Sequence, residues 1–102
     1  MDSYTLDNPD DMAMDIAKEF RQRRIERNIT REEIAEKSKV ALANVIRFEQ
    51  KGLISLRNLI SLAVALEYTA EIKNIFSQPK YSTMEELTQI KKNSGKKRAY
   101  KR

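Results

Sequence analysis

The chain is predicted to be all-helical, and three observations predict it. Its 102 residues contain only two glycines (Gly52, Gly95) and two prolines (Pro9, Pro79), which leaves a long middle free of helix breakers. Apolar residues recur at helical spacing from Ile16 to Ile90. No stretch shows the sustained apolar–polar alternation of a half-buried strand, and only the short segment Ser3–Leu6 invites weak pairing in a dimer.

The first helix is placed from Asp15 to about Arg27, with Ile16, Ala17, Phe20 and Ile25 on one side together with Arg24. Asn28 tolerates a left-handed backbone and closes it. Thr30 with Glu33 three residues on is a capping box, and Glu32 and Glu33 suit the positive end of a helix dipole. The second helix therefore runs to about Lys37, and Ile34 and Ala35 pack it. Val40 closes a turn. The third helix runs from Leu42 to Gln50 and stops at Gly52, with Val45 and Phe48 inward. Its start is locally weak by about 1 kcal/mol, because Ala41 stands where a Ser or Thr would cap.

Ser55 caps a fourth helix. Its Leu56, Leu59, Ile60, Leu62, Ala63 and Leu66 cover most of the circumference, so it belongs in a core or an interface. Thr69 opens a fifth, with Ile72, Ile75 and Phe76, closed before Pro79. Ser82 with Glu85 opens a last helix bearing Met84, Leu87 and Ile90. The chain thus divides into an acidic segment 1–14, a five-helix domain 15–77, a short C-terminal helix within 78–90 and a basic, disordered tail 91–102. A core of roughly 60 residues is marginal alone, so spare apolar surface on helices four to six can be shared with a second subunit.

Composition narrows the functions. The formal charge of +5 is compatible with a polyanionic partner. Asp2, Asp7, Asp10 and Asp11 make the head acidic, while Lys91, Lys92, Lys96, Lys97, Arg98, Lys101 and Arg102 make the tail basic. The tail is either a solvated end or an arm that follows DNA, with Tyr100 as a weak stacking candidate. With no cysteine and no histidine there is no disulfide framework, no thiolate chemistry and no common metal ligand. No apolar run approaches the roughly 18 residues of a membrane span, and no signal peptide is visible, so a cytoplasmic location is expected. The paired acids Glu32/Glu33 and Glu85/Glu86 are explained by helix starts. No enzymatic activity, cofactor or metal is expected.

Residues 30–52 are the most informative stretch: two short helices across a tight turn, apolar only where they must touch. Ala43, Asn44 and Arg47 remain on the open side of the second, an arrangement that suits insertion into a DNA major groove. Asn44 can contact adenine in bidentate fashion, Arg47 can contact guanine or phosphate, and Leu42 or Ala43 can meet a thymine methyl. Thr30 and Arg31 at a helix start are placed to approach phosphate. Lys37, Lys39 and Lys51 flank the motif and add salt-dependent affinity.

The run Arg24-Ile25-Glu26-Arg27-Asn28-Ile29-Thr30, then Glu32-Glu33-Ile34-Ala35, Phe48-Glu49, and Ser55-Leu56 through Leu66, resembles the Xre/Cro helix-turn-helix regulators, which include the lambda-type phage repressors. The likeness covers about residues 16–67. It implies a five-helix lambda-repressor-like DNA-binding domain, in which the start of the third helix reads bases and Arg24 pairs with Glu49. The sequence departs from the pattern at Arg31 (commonly Gln), Lys39 (commonly Gly) and the uncapped Ala41. A narrower likeness, Arg47-Phe48-Glu49-Gln50-Lys51-Gly52 followed by Ile54-Ser55-Leu56, is to Xre regulators encoded beside Hip-type kinase toxins.

Together these imply a regulator of double-stranded DNA. It would act as a homodimer on a palindromic operator, repress its own operon and serve as the antitoxin to a kinase-like toxin. The rival readings are a protein-interaction module that docks a partner protein, and a basic RNA-binding protein. Few exposed aromatics disfavour the RNA reading.

Overall fold

The structure, a computed structural model, describes residues 8–96, and these form six helices with no strand among the described residues. They are α1 (Pro9–Glu26), α2 (Arg31–Ser38), α3 (Leu42–Lys51), α4 (Leu56–Ala65), α5 (Thr69–Lys73) and α6 (Met84–Asn93). By compactness the chain divides into two units, at Ile72/Lys73. Asp2, Asp7, the Ser3–Leu6 segment and the tail from Lys97, Tyr100 included, lie outside the described residues.

In the first unit, α1 begins at Pro9, six residues ahead of the predicted start at Asp15. The cap is Asn8, whose Oδ1 accepts from the Asp10 and Asp11 amides at 2.9 and 3.3 Å. Pro9 supplies a preset φ at the first helical position, and the two aspartates sit at the positive end of the dipole. The far end closes in a Schellman motif. The Asn28 amide donates to the Ile25 carbonyl at 2.8 Å and the Ile29 amide to that of Arg24 at 3.2 Å, with Asn28 left-handed at φ 56°. The end of α4 repeats the device, with Glu67 at φ 67° in the left-handed position.

The core contains Ala17 and Phe20 of α1, Ile34 and Ala35 of α2, Val40 of the turn that follows, Val45 and Phe48 of α3, and Leu62, Ala65 and Leu66 at α4. The Phe20 and Phe48 rings meet with centroids 5.4 Å apart at an interplanar angle of 55°, a tilted geometry that adds about 1 kcal/mol to the burial itself. Ile16 and Ile25, predicted to face inward, are half exposed instead. The buried stripe of α1 is the narrower set Ala17, Phe20 and Arg24, and the flanking isoleucines fall to either side of it.

Arg27 ties the end of α1 to the end of α4. One guanidinium nitrogen donates to the Leu66 carbonyl at 2.8 Å and another pairs with Glu67. That hydrogen bond and the Arg27 charge hold the Glu67 carboxyl below its usual range.

The helix α5 is shorter than predicted. It ends at Lys73, with Thr69 as its first helical residue and not its cap. Phe76 has φ 61° and stands fully exposed, so the apolar spacing of Ile72, Ile75 and Phe76 does not continue a helix. In the second unit the cap of α6 is Thr83, one residue beyond the predicted Ser82. The Thr83 hydroxyl accepts from the Glu86 amide at 3.1 Å, while the Ser82 hydroxyl donates to the Glu86 carboxylate at 2.8 Å. Lys91 and Lys92, predicted to start the tail, form the last turn of α6, where cations complement the dipole.

Candidate nucleic-acid interface

The two helices α2 and α3 and the turn between them are set by local chemistry. The Thr30 hydroxyl accepts from the Glu33 amide at 3.0 Å and the Thr30 amide donates to the Glu33 carboxylate at 2.8 Å, a reciprocal capping box. The backbone and side-chain hydrogen bonds from Thr30 keep the Glu33 carboxyl below its usual value. At the other end Lys39 takes φ 63°. The left-handed position usually given to glycine is thus held by a lysine, at a cost of about 1 kcal/mol. The Ser38 hydroxyl stabilises the turn, donating to the Ala35 carbonyl and accepting from the Val40 amide.

No side chain caps α3 at Ala41. Its start therefore keeps amide donors and positive dipole available to an anion.

Val45, Phe48 and Glu49 bury one side of α3, and Leu42, Ala43, Asn44, Arg47, Gln50 and Lys51 lie on the other, exposed. Asn44 and Arg47 share a shallow recess of about 420 Å³ with Leu53, Ile54, Ser55 and Asn58. Ser55 and Asn58 come from the start of α4, where the Ser55 hydroxyl accepts from the Asn58 amide at 3.2 Å. Sequence reasoning gave Ser55 only a capping role and passed over Asn58. Their proximity to Asn44 depends on the turn at Gly52, and no local pattern carries that.

Glu49 organises the other end of α3. Its Oε2 accepts from the Arg24 Nε at 2.8 Å and its Oε1 from Arg24 NH2 at 3.0 Å, while Arg24 NH1 donates to the Ile29 carbonyl at 2.8 Å. The pair is almost fully buried, with side-chain exposures of 7% for Arg24 and 1% for Glu49. Two further arginines reach the same carboxylate oxygen, Arg31 at 2.9 Å and Arg21 at 4.0 Å. Burial pushes the Glu49 carboxyl up, but the hydrogen bonds and charges of Arg24 and Arg31 outweigh it, and the net displacement is downward.

Of the other residues singled out in the sequence, Thr30, Lys39 and Lys51 are exposed. Arg31 does not extend freely from the start of α2, since its Nε is turned back onto Glu49, and it stays one-third exposed.

Among the described residues no group of His, Cys, Asp or Glu is arranged to hold a metal ion, and no helix is long and apolar enough to cross a membrane. No curated protein and no solved structure matches the chain. The family model described as helix-turn-helix, HTH_3, matches residues 20–72, which is more than half of the chain and takes in α2, the turn and α3 together with their supports in α1 and α4. The chain therefore belongs to the Xre-type helix-turn-helix family of DNA-binding domains.

Proposed function

We propose that this protein is a sequence-specific regulator that reads duplex DNA through Ala43, Asn44 and Arg47, acts as a homodimer on a two-fold symmetric operator, and represses its own operon. One observation carries the reading: Asn44 and Arg47 stand exposed beside each other while Val45, Phe48 and Glu49 of the same helix are locked beneath. A polar, solvent-facing helix edge on a rigid mount is what base readout in the major groove needs. Leu42 supplies apolar contact, and Thr30, Arg31, Lys39 and Lys51 meet the backbone.

Selection from a random duplex pool tests this. A palindromic consensus should emerge, with half-sites about one helical turn apart. The double variant Asn44→Ala/Arg47→Ala should lose about 100-fold or more in affinity for the consensus, since each bidentate base contact is worth about 1–3 kcal/mol. Its melting temperature should stay close to the parent's. Failure to enrich any motif, or an undiminished double variant, overturns the reading.

The homodimer has its own support. Leu53, Leu56, Ile60 and Val64 are all exposed, and the last three repeat every fourth residue along one edge of α4. An apolar edge of that kind on so small a domain favours cover by a second copy. Ile60→Lys should convert a dimer to a monomer in sedimentation and weaken operator binding at least tenfold. Unchanged sedimentation of that variant removes α4 from the interface.

The same reading extends to a Hip-like locus, with the protein as antitoxin to a kinase-like toxin. What supports it is the run Arg47–Gly52 followed by Ile54-Ser55-Leu56. Calorimetric titration with the product of the adjacent gene is the check, and a neighbour that is not kinase-like rejects this extension alone.

A further inference from the structure

Charge divides unevenly between the two units. Residues 1–72 hold eleven Lys and Arg against thirteen Asp and Glu, while residues 73–102 hold nine against two. The unit that carries α2 and α3 is thus slightly acidic, and the formal charge of +5 comes entirely from the C-terminal one.

Many cations of the first unit are also spent within it. Arg21, Arg24 and Arg31 surround Glu49, Arg23 pairs with Glu26, and Arg27 pairs with Glu67. In the second unit Lys73, Lys80, Lys91 and Lys92 are exposed, and among the described residues no carboxylate pairs with them. Of its two acids, Glu86 is engaged locally, accepting from the Ser82 hydroxyl at 2.8 Å and the Ser82 amide at 3.3 Å. Duplex DNA carries condensed counterions, and exposed lysines without a carboxylate of their own displace them with no ion pair to break.

We propose that the C-terminal unit, through Lys73, Lys80, Lys91, Lys92 and the basic residues beyond α6, is a second DNA-binding element. It supplies sequence-independent affinity, while α3 of the first unit supplies the readout. The choice of duplex DNA as the polyanion rests on the DNA-binding family of the first unit. The division has a consequence for search. The C-terminal unit draws the protein to any duplex and holds it there, and the slightly acidic first unit adds affinity only where its side chains meet the right bases.

Binding of the full chain to a random duplex, followed by fluorescence anisotropy over a salt series, tests this without an operator. The triple variant Lys80→Gln/Lys91→Gln/Lys92→Gln should lower the slope of log affinity against log salt by about 2–3, since each neutralised phosphate contributes about 0.9. It should weaken random duplex by about tenfold or more. The selected operator should weaken by the same factor, with the specificity ratio and the melting temperature unchanged. Arginine at the same three positions keeps the charge and should keep the slope.

A slope that falls although selection enriches no motif leaves the second element standing and removes the sequence-specific reading. A parental slope in the glutamine variant overturns the proposal, as does an equal loss in the arginine variant. Vesicles of phosphatidylglycerol give the remaining arm. If the glutamine variant loses vesicle binding and keeps duplex binding, the lysines serve a lipid surface and the proposal fails.

Discussion

Replacing Glu49 with alanine is expected to destabilise the domain by about 3–5 kcal/mol and to lower its melting temperature by more than about 10 °C. The reason lies in what remains. Arg24 is 7% exposed and its Nε and NH2 have no acceptor but Glu49 among the described residues. Deleting the carboxylate leaves a buried guanidinium that can neither lose its proton nor reach water. The whole stability of a small domain is of order 5–15 kcal/mol, so the variant would be close to unfolding at physiological temperature.

A compensating change separates a stranded charge from simple loss of packing. The double variant Arg24→Met/Glu49→Leu replaces the pair with apolar groups of similar reach. It should recover much of the loss, because exchanging a whole buried ion pair for hydrophobic residues is often neutral. A double variant as unstable as Glu49→Ala would place the cost in packing.

The effect should also depend on pH with a fixed sign. The Glu49 carboxyl is held below its usual value near 4.5, so the pair stabilises the fold fully above that value. The stabilisation disappears as the pH falls through the lowered value and the carboxylate takes up a proton. The difference in melting temperature between parent and Glu49→Ala should therefore be largest near neutral pH and shrink in acid. A gap that widens below pH 4 contradicts the pairing.

The Arg24–Glu49 pair was legible in the chain only through family resemblance, since 25 residues separate its members. Local chemistry was easier to read. Thr30 with Glu33, and Asn28 at a left-handed end, announce themselves within a few residues and hold in the structure. The buried Ile34, Ala35, Val45 and Phe48 follow from helical spacing, and Val40 from its place in the turn between the two helices.

The misreadings have physical causes. The first turns of α1 bury little, with Met12 nearly half exposed, so no apolar period marks them. The true signal was polar: Asn8 before Pro9, followed by two aspartates. At α6 two adjacent hydroxyl residues each have a glutamate three positions on, Ser82 with Glu85 and Thr83 with Glu86, and spacing cannot rank them. At Arg31 a contact was missed, not misread: its place at a helix start points to phosphate, and that its Nε also reaches Glu49, 18 residues away, is a tertiary fact with no local signature.

Gly52→Ala is the second substitution expected to have a large effect, at about 2–5 kcal/mol of lost stability. Two costs combine. Gly52 ends α3 at φ +69°, in the left-handed region, where an L-residue loses about 1–2 kcal/mol. A methyl group there would also stand 3.0 Å from the Ala13 carbonyl carbon and the Met14 amide nitrogen, and 3.2 Å from the Ala13 carbonyl oxygen. All three atoms belong to the backbone of α1, which cannot swing aside as a side chain can, and overpacking of this kind costs about 1–3 kcal/mol.

Gly52→Asn distinguishes the two. Asparagine tolerates the left-handed region better than alanine but brings the same Cβ, so it should recover the smaller share of the loss. Gly95→Ala, where nothing lies within 4 Å, is the neutral control. The consequence reaches the interface, because Gly52 lets the chain leave α3 against α1 and turn directly into α4. That turn places Ser55 and Asn58 beside Asn44 and Arg47. Gly52→Ala should therefore weaken operator binding even at temperatures where the variant remains folded. A variant that melts with the parent and binds DNA as tightly would mean that α1 and the end of α3 do not approach as closely as 3 Å.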